Sequence, residues 1–150
     1  MPAVNRNGIE IGQAHLAYLL HMATRRMRAE AEHEVPEPFR ALSAAQARLL
    51  DSVPVQGVRV TTLSSSMLVS KQGLGQLVNQ LVSAGFVAVE TDPTDARARV
   101  IRCTELGREA QRVMRQRLAD VEEGWRDQVG AERYGVFREV LAELVSGFVT

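Results

Sequence analysis

Cysteine is almost missing from this 150-residue chain, and the one present, Cys103, has no partner for an internal disulfide. Stability must then come from a buried core, and such usage fits a reducing compartment, the cytoplasm. No apolar run approaches the roughly 20 residues that span a bilayer, so no membrane contact is expected. Met1 to Asn7 hold only a few apolar residues and lead into no apolar stretch, which argues against a secretory signal. A phosphate-binding loop, a Gly-x-Ser-x-Gly elbow, a His-Glu-x-x-His motif and a dinucleotide fingerprint are all missing. Gly73 and Gly75 fall within a helical stretch and lack the third glycine. Neither an enzyme nor a cofactor is expected. His15 and His21 stand six apart, about 240 degrees around a helix, and His33 is distant, so no metal site is expected either.

Excess charge is lacking too, since the formal net charge is zero. Its distribution is more informative. Residues 1–39 sum to −1, residues 40–102 to +3 and residues 103–150 to −2. The basic part is the middle, where a polyanion would be met. Hydrophobic residues make up 45%, enough for a globular fold without disorder or low-complexity tracts.

From Ile9 to about Glu34, Leu16, Leu19, Leu20, Ala23, Met27 and Ala31 recur at helical spacing, and Pro36 and Pro38 end the helix. Ser43 and Gln46 have capping-box spacing, opening a second helix that ends near Val53, before Pro54 and Gly57. A short helix over Thr61 to Met67 is expected to start on a threonine cap. A break at Leu68-Val69 then leads to Ser70, the N-cap of a helix to about Ser83 that Gly85 stops. Leu74, Leu77, Val78 and Leu81 form its inner stripe. Two strands follow, Phe86 to Glu90 and Arg97 to Cys103, joined by a turn over Thr91-Asp92-Pro93-Thr94-Asp95. Thr104 caps a long helix with Ala110, Met114, Leu118, Val121, Trp125 and Val129 on its stripe. After Gly130, a last helix carries Phe137, Val140, Leu141, Leu144 and Phe148.

A short helix, a tight turn, a capped helix and a hairpin make a winged helix-turn-helix. The second helix presents Lys71, Gln72 and Gln76 near an N-terminus where Ser70 and backbone amides can meet phosphate. Glutamine suits adenine edges, and lysine suits guanine or phosphate. Arg97 and Arg99, two apart, share a strand face suited to a narrow minor groove, and Asp95 stands where it can orient the Arg97 guanidinium.

These segments resemble the MarR family of bacterial transcriptional regulators. The likeness lies in Val69-Ser70-Lys71-Gln72, Leu77-Val78-Asn79-Gln80-Leu81 and Gly85-Phe86-Val87. It continues in Asp92-Pro93-Thr94-Asp95-Ala96-Arg97-Ala98-Arg99 and Thr104-Glu105-Leu106-Gly107-Arg108, with Leu42-Ser43-Ala44-Ala45-Gln46 upstream. The resemblance implies a mainly α fold with a small β-hairpin wing. It also implies N- and C-terminal dimerisation helices, over about 1–40 and 105–150, around a winged lobe over about 41–104, all in a single domain. A homodimer on palindromic double-stranded DNA, repressing until a small ligand or oxidation releases it, is further implied. So is a minor-groove role for Arg97, with Asp95 as its orienting partner.

The chain departs from the family's pattern at Ala96, where arginine is common, at Gly73 and Gly75, where side chains often touch DNA, and at Cys103, usually leucine. Cys103 itself reads as a partly buried, inert thiol. Trp125 reads as core or dimer interface. His15, Tyr18, His21 and Arg25 are candidates for an effector cavity between the helical base and the DNA-binding lobe. A rival function keeps the winged fold as a protein-interaction module with weak or no DNA binding.

Overall fold

A computed structural model of the chain describes residues 11–67 and 70–147. Met1 to Asn7, the Ile9 helix start, the Leu68-Val69 break and Phe148 lie outside them. A 3-10 turn, Ile11–Gln13, precedes α1 (Leu16–Glu32), and another, Phe39–Ala41, precedes α2 (Ala44–Asp51). Next come β1 (Val58–Arg59), α3 (Val60–Ser66), α4 (Lys71–Ser83), β2 (Val87–Asp92), β3 (Asp95–Cys103), α5 (Glu105–Val129) and α6 (Ala131–Ser146).

Local hydrogen bonding explains most boundaries. Ser43 and Gln46 form a reciprocal capping box at the start of α2, each side chain satisfying the other's backbone amide. Ser70 Oγ accepts from the Gly73 amide at 3.0 Å and caps α4. Gly85, at φ +80, ends α4 in a Schellman motif. Its amide reaches the Val82 carbonyl at 3.0 Å, and the Phe86 amide reaches Leu81 at 2.9 Å. Thr104 Oγ1 accepts from the Gly107 amide at 3.1 Å and opens α5.

Three expectations need correction. The sheet has three strands in the order β1-β3-β2, not two. Val58 pairs with Ile101 and Arg59 with Val100, both antiparallel. The cap of α3 is not a threonine: the helix begins at Val60 with Arg59 at the N-cap and no side-chain capping bond. The reason is that β1 feeds straight into α3, so the chain enters the helix from a paired strand. The hairpin turn is also shorter than the sequence suggests. Asp92 pairs with Asp95, leaving Pro93 and Thr94 between the strands.

The chain divides into two compact units, 1–34 with 116–150, and 35–115. The second owns the core. Leu49, Leu50, Leu63, Leu74, Leu81 and Ile101 are fully buried there, with Phe39 and Phe86 beside them at 6.2 Å between ring centroids. The buried Gln111 side chain donates from Nε2 to the carbonyls of Leu50 and Val53, at 2.7 and 2.8 Å. It thus adds a side-chain donor to backbone carbonyls where α2 ends. In the first unit, Ala31 and Tyr134 are the buried apolar side chains among the described residues. Leu16 (61% exposed), Leu144 (67%), Phe137 and Val140 lie open on its surface.

Candidate nucleic-acid interface

The amphipathic pattern of α4 decides which side chains remain available. Leu74, Val78 and Leu81 are buried and Leu77 half-buried, so Lys71, Gln72, Gln76, Asn79 and Gln80 face outward. Gln80 is partly engaged, its Oε1 accepting from Gln46 Nε2 at 3.0 Å. Lys71, Gln72 and Gln76 have no protein partner among the described residues. Ser70 spends one lone pair on its cap and keeps a hydroxyl proton for a further acceptor. The other unpaired amides of the first turn add partial positive charge at this end. A β-carbon on Gly75 would meet nothing within 4 Å, so this part of α4 is open.

The wing is built differently from the sequence expectation at one point. Asp95 Oδ1 accepts the backbone amide of Arg97 at 3.0 Å, and no ion pair joins it to the guanidinium among the described residues. The short carboxylate side chain closes a local turn onto the amide two residues on, which its length favours. Arg97 is left exposed, its guanidinium without a partner among the described residues. Arg99 is not free, because its Nη1 donates to Thr91 Oγ1, its cross-strand neighbour, at 2.6 Å.

Two wing residues escaped the sequence reading. Asp92 lies buried at the tip, where its carboxylate accepts from the Thr94 amide at 2.8 Å and the Thr94 hydroxyl at 2.7 Å. Its other oxygen accepts from Arg59 Nε at 2.7 Å. The Thr94 bonds, with Arg59 adding to them, pull the Asp92 carboxyl down to about 2. A lone Asp-Pro looks like ordinary turn chemistry, and nothing local ties it to an arginine 33 residues earlier.

His15 is the exposed N-cap of α1, edge-on to half-buried Tyr18 at 6.5 Å, and His21 and Arg25 are exposed. An open cleft of about 800 Å3 lies between the second half of α1 and α5, around Arg26, Glu30, Arg117 and Trp125. Trp125 Nε1 donates to Glu30 Oε2 at 2.8 Å, and the Arg26 guanidinium carbon lies 5.3 Å from the indole centroid. Arg26 first, then Trp125, holds the Glu30 carboxyl below its ordinary range. Burial pushes the Cys103 thiol up, outweighing nearby Arg108 and Arg115, so the thiol stays protonated.

Residues 42–98, which span α2 to the wing, match the profile described as the MarR family. Over that stretch, which is less than half of the chain, the sequence is similar to the MarR family. The solved MarR fold aligns over 98% of the chain and 95% of its own, with a TM-score of 0.76 at 20% identity. Reduced MarR from E. coli gives 0.74 at 21% identity, over 88% of this chain and 97% of that one. The transcriptional regulator Tm0710 from Thermotoga maritima gives 0.61 at 24%, over 87% and 91%. At these identities the structures establish a shared fold. Among curated proteins, no sequence matches the chain significantly. In this chain β1 joins the wing to the helix-turn-helix, since it pairs with β3 and continues into α3. No described helix is long and apolar enough to cross a membrane, and no cluster of metal-binding side chains occurs among the described residues.

Proposed function

We propose that this protein is a cytoplasmic transcriptional regulator that binds a palindromic double-stranded operator as a homodimer and is released by a small ligand. One observation carries the reading. The outward face of α4 offers Lys71, Gln72 and Gln76 without protein partners, on the same lobe whose wing offers an unpaired Arg97. Unbonded polar and cationic groups at the start of a capped helix suit the edges and phosphates of a major groove. A bare arginine on a thin hairpin suits the minor groove beside it. In this reading Ser70 and Arg99 reach phosphate, and Asp95 acts by fixing the backbone under Arg97.

The homodimer is supported by the open apolar surfaces of α1 and α6, which a second copy would cover. Helices within about 1–40 and 105–150 then form the dimer, and residues of about 41–104 form the reading lobe. His15, Tyr18, His21 and Arg25 are the proposed effector contacts on α1. A repressor's function is steric occupation of DNA and calls for no catalytic group or cofactor.

Selection of duplexes from a random library by the purified protein tests the proposal. The expected product is one palindrome with half-sites about 34–36 Å apart. Its affinity should fall steeply with salt as phosphate counterions are released. Failure to enrich any sequence would overturn the reading and favour the protein-interaction module.

A further inference from the structure

Beyond β1, the wing is a two-stranded ribbon. The third strand covers β3 only at Val100 and Ile101, while β2 and β3 continue to the Asp92 and Asp95 pair. Two strands without a third, or a packed face, hold their direction weakly. One side chain braces this overhang from its root. Arg59, the last residue of β1 and the N-cap of α3, extends its guanidinium to the tip turn. There its Nε donates to Asp92 Oδ2 at 2.7 Å and its Nη2 to Thr94 Oγ1 at 3.4 Å. Asp92 in turn binds the Thr94 amide and hydroxyl. The tip is thus tied at two points to the residue from which the helix-turn-helix starts.

We infer that Arg59 is a positioning residue that fixes the wing tip relative to α3, so that the recognition helix and Arg97 meet DNA at a set spacing. This rests on the DNA-binding reading above and adds a residue to it that contacts no DNA itself. The planar fork of arginine serves two acceptors in one orientation, which a lysine ammonium at the same position does not. Burial favours the same role. The Asp92 side chain is 9% exposed, so it is turned inward, away from any phosphate, whereas Arg59 is 46% exposed. An arginine that served only to attract phosphate would gain nothing from a carboxylate held against it. A brace gains geometry, and ordering the tip in advance lowers the cost of ordering it on DNA.

The two roles predict opposite signs for one substitution. Asp92→Asn keeps the shape, removes a negative charge beside Arg59 and breaks the contact with its guanidinium. Arg59→Lys keeps the positive charge and loses the fork. Both variants and the parent protein are measured for Kd on the selected duplex, and for amide hydrogen exchange without DNA. The brace predicts roughly tenfold weaker binding in both variants, in the range for directly bonded pairs. It also predicts faster exchange at Thr94 and Arg97, with residues 74–81 unchanged as the control for folding. Tighter or equal binding by Asp92→Asn, full binding by Arg59→Lys, or unchanged exchange at the tip would each overturn it. Should the parent protein select no duplex, the DNA reading fails by itself, and the exchange measurement still decides whether the brace exists.

Discussion

The carbonyl oxygen of Phe86 occupies the space that a side chain on Gly107 would need, only 2.0 Å from where its β-carbon would stand. The first turn of α5 leans against the entry to β2 at this place. The Thr104 amide donates to the same Phe86 oxygen at 3.0 Å, and its hydroxyl reaches the Gly85 carbonyl at 2.6 Å. Backbone faces backbone, so no rotamer change can relieve the clash. Gly107→Ala should therefore destabilise the protein by about 3 kcal/mol, at the upper end for overpacking. Urea unfolding would measure it, and a neutral result would show that the junction is loose.

Gly75 makes the opposite case. It sits inside α4 with open space around it, so its lack of a side chain answers no packing need. Gly75→Ala should raise stability by about 0.5–1 kcal/mol through helix propensity. If α4 lies in the major groove, the added methyl should also alter affinity for the selected duplex. A gain in melting temperature with identical affinity and sequence preference would place the contact elsewhere on the helix.

Arg97→Ala tests the wing alone. Asp95 holds the Arg97 backbone and not its guanidinium, so truncation leaves the turn intact. Binding should weaken by about 1–3 kcal/mol, with the thermal midpoint unmoved. A gel shift indistinguishable from the parent's would remove Arg97 from the interface.

Asp92 gives the fold an acid sensitivity of known sign. Its carboxyl is lowered from an ordinary 3.8 to about 2, chiefly by Thr94. The folded state thus holds this proton less tightly than the unfolded chain. The stabilisation is present above pH 3.8 and disappears as pH falls through about 2. Glu30 and Glu109 are lowered too, so the measurement is the difference between the parent and Asp92→Asn. Unfolding free energies between pH 5 and about pH 2 should converge as the pH falls. A constant gap would mean that the carboxylate is not specially held.

What the sequence revealed were the features decided within a few residues. The Ser43 and Gln46 box, the Ser70 and Thr104 caps and the Gly85 stop are all local, and each lies where the sequence puts it. The face of α4 was legible because helical spacing alone sorts inner from outer positions. Long-range pairings were not. Two residues, Val58 and Arg59, carry no strand pattern, and their partners Ile101 and Val100 lie more than forty positions away. Separation along the chain likewise hid Arg59 from Asp92, 33 residues on, and Gln111 from the end of α2. At Asp95 the spacing points to Arg97 but does not distinguish its backbone amide, the donor in the structure, from the guanidinium of the same residue.

Among the described residues of the 1–34 and 116–150 unit, buried apolar side chains are scarce, which would link the proposed dimer's stability to its abundance. If its open surfaces are completed by a second copy, its melting temperature should climb with protein concentration. The better-filled 35–115 unit should show less of that dependence. If the proposed function holds, dilution in a cell would then act on the protein before any effector does, and a scarce chain would be a poor occupant of paired sites.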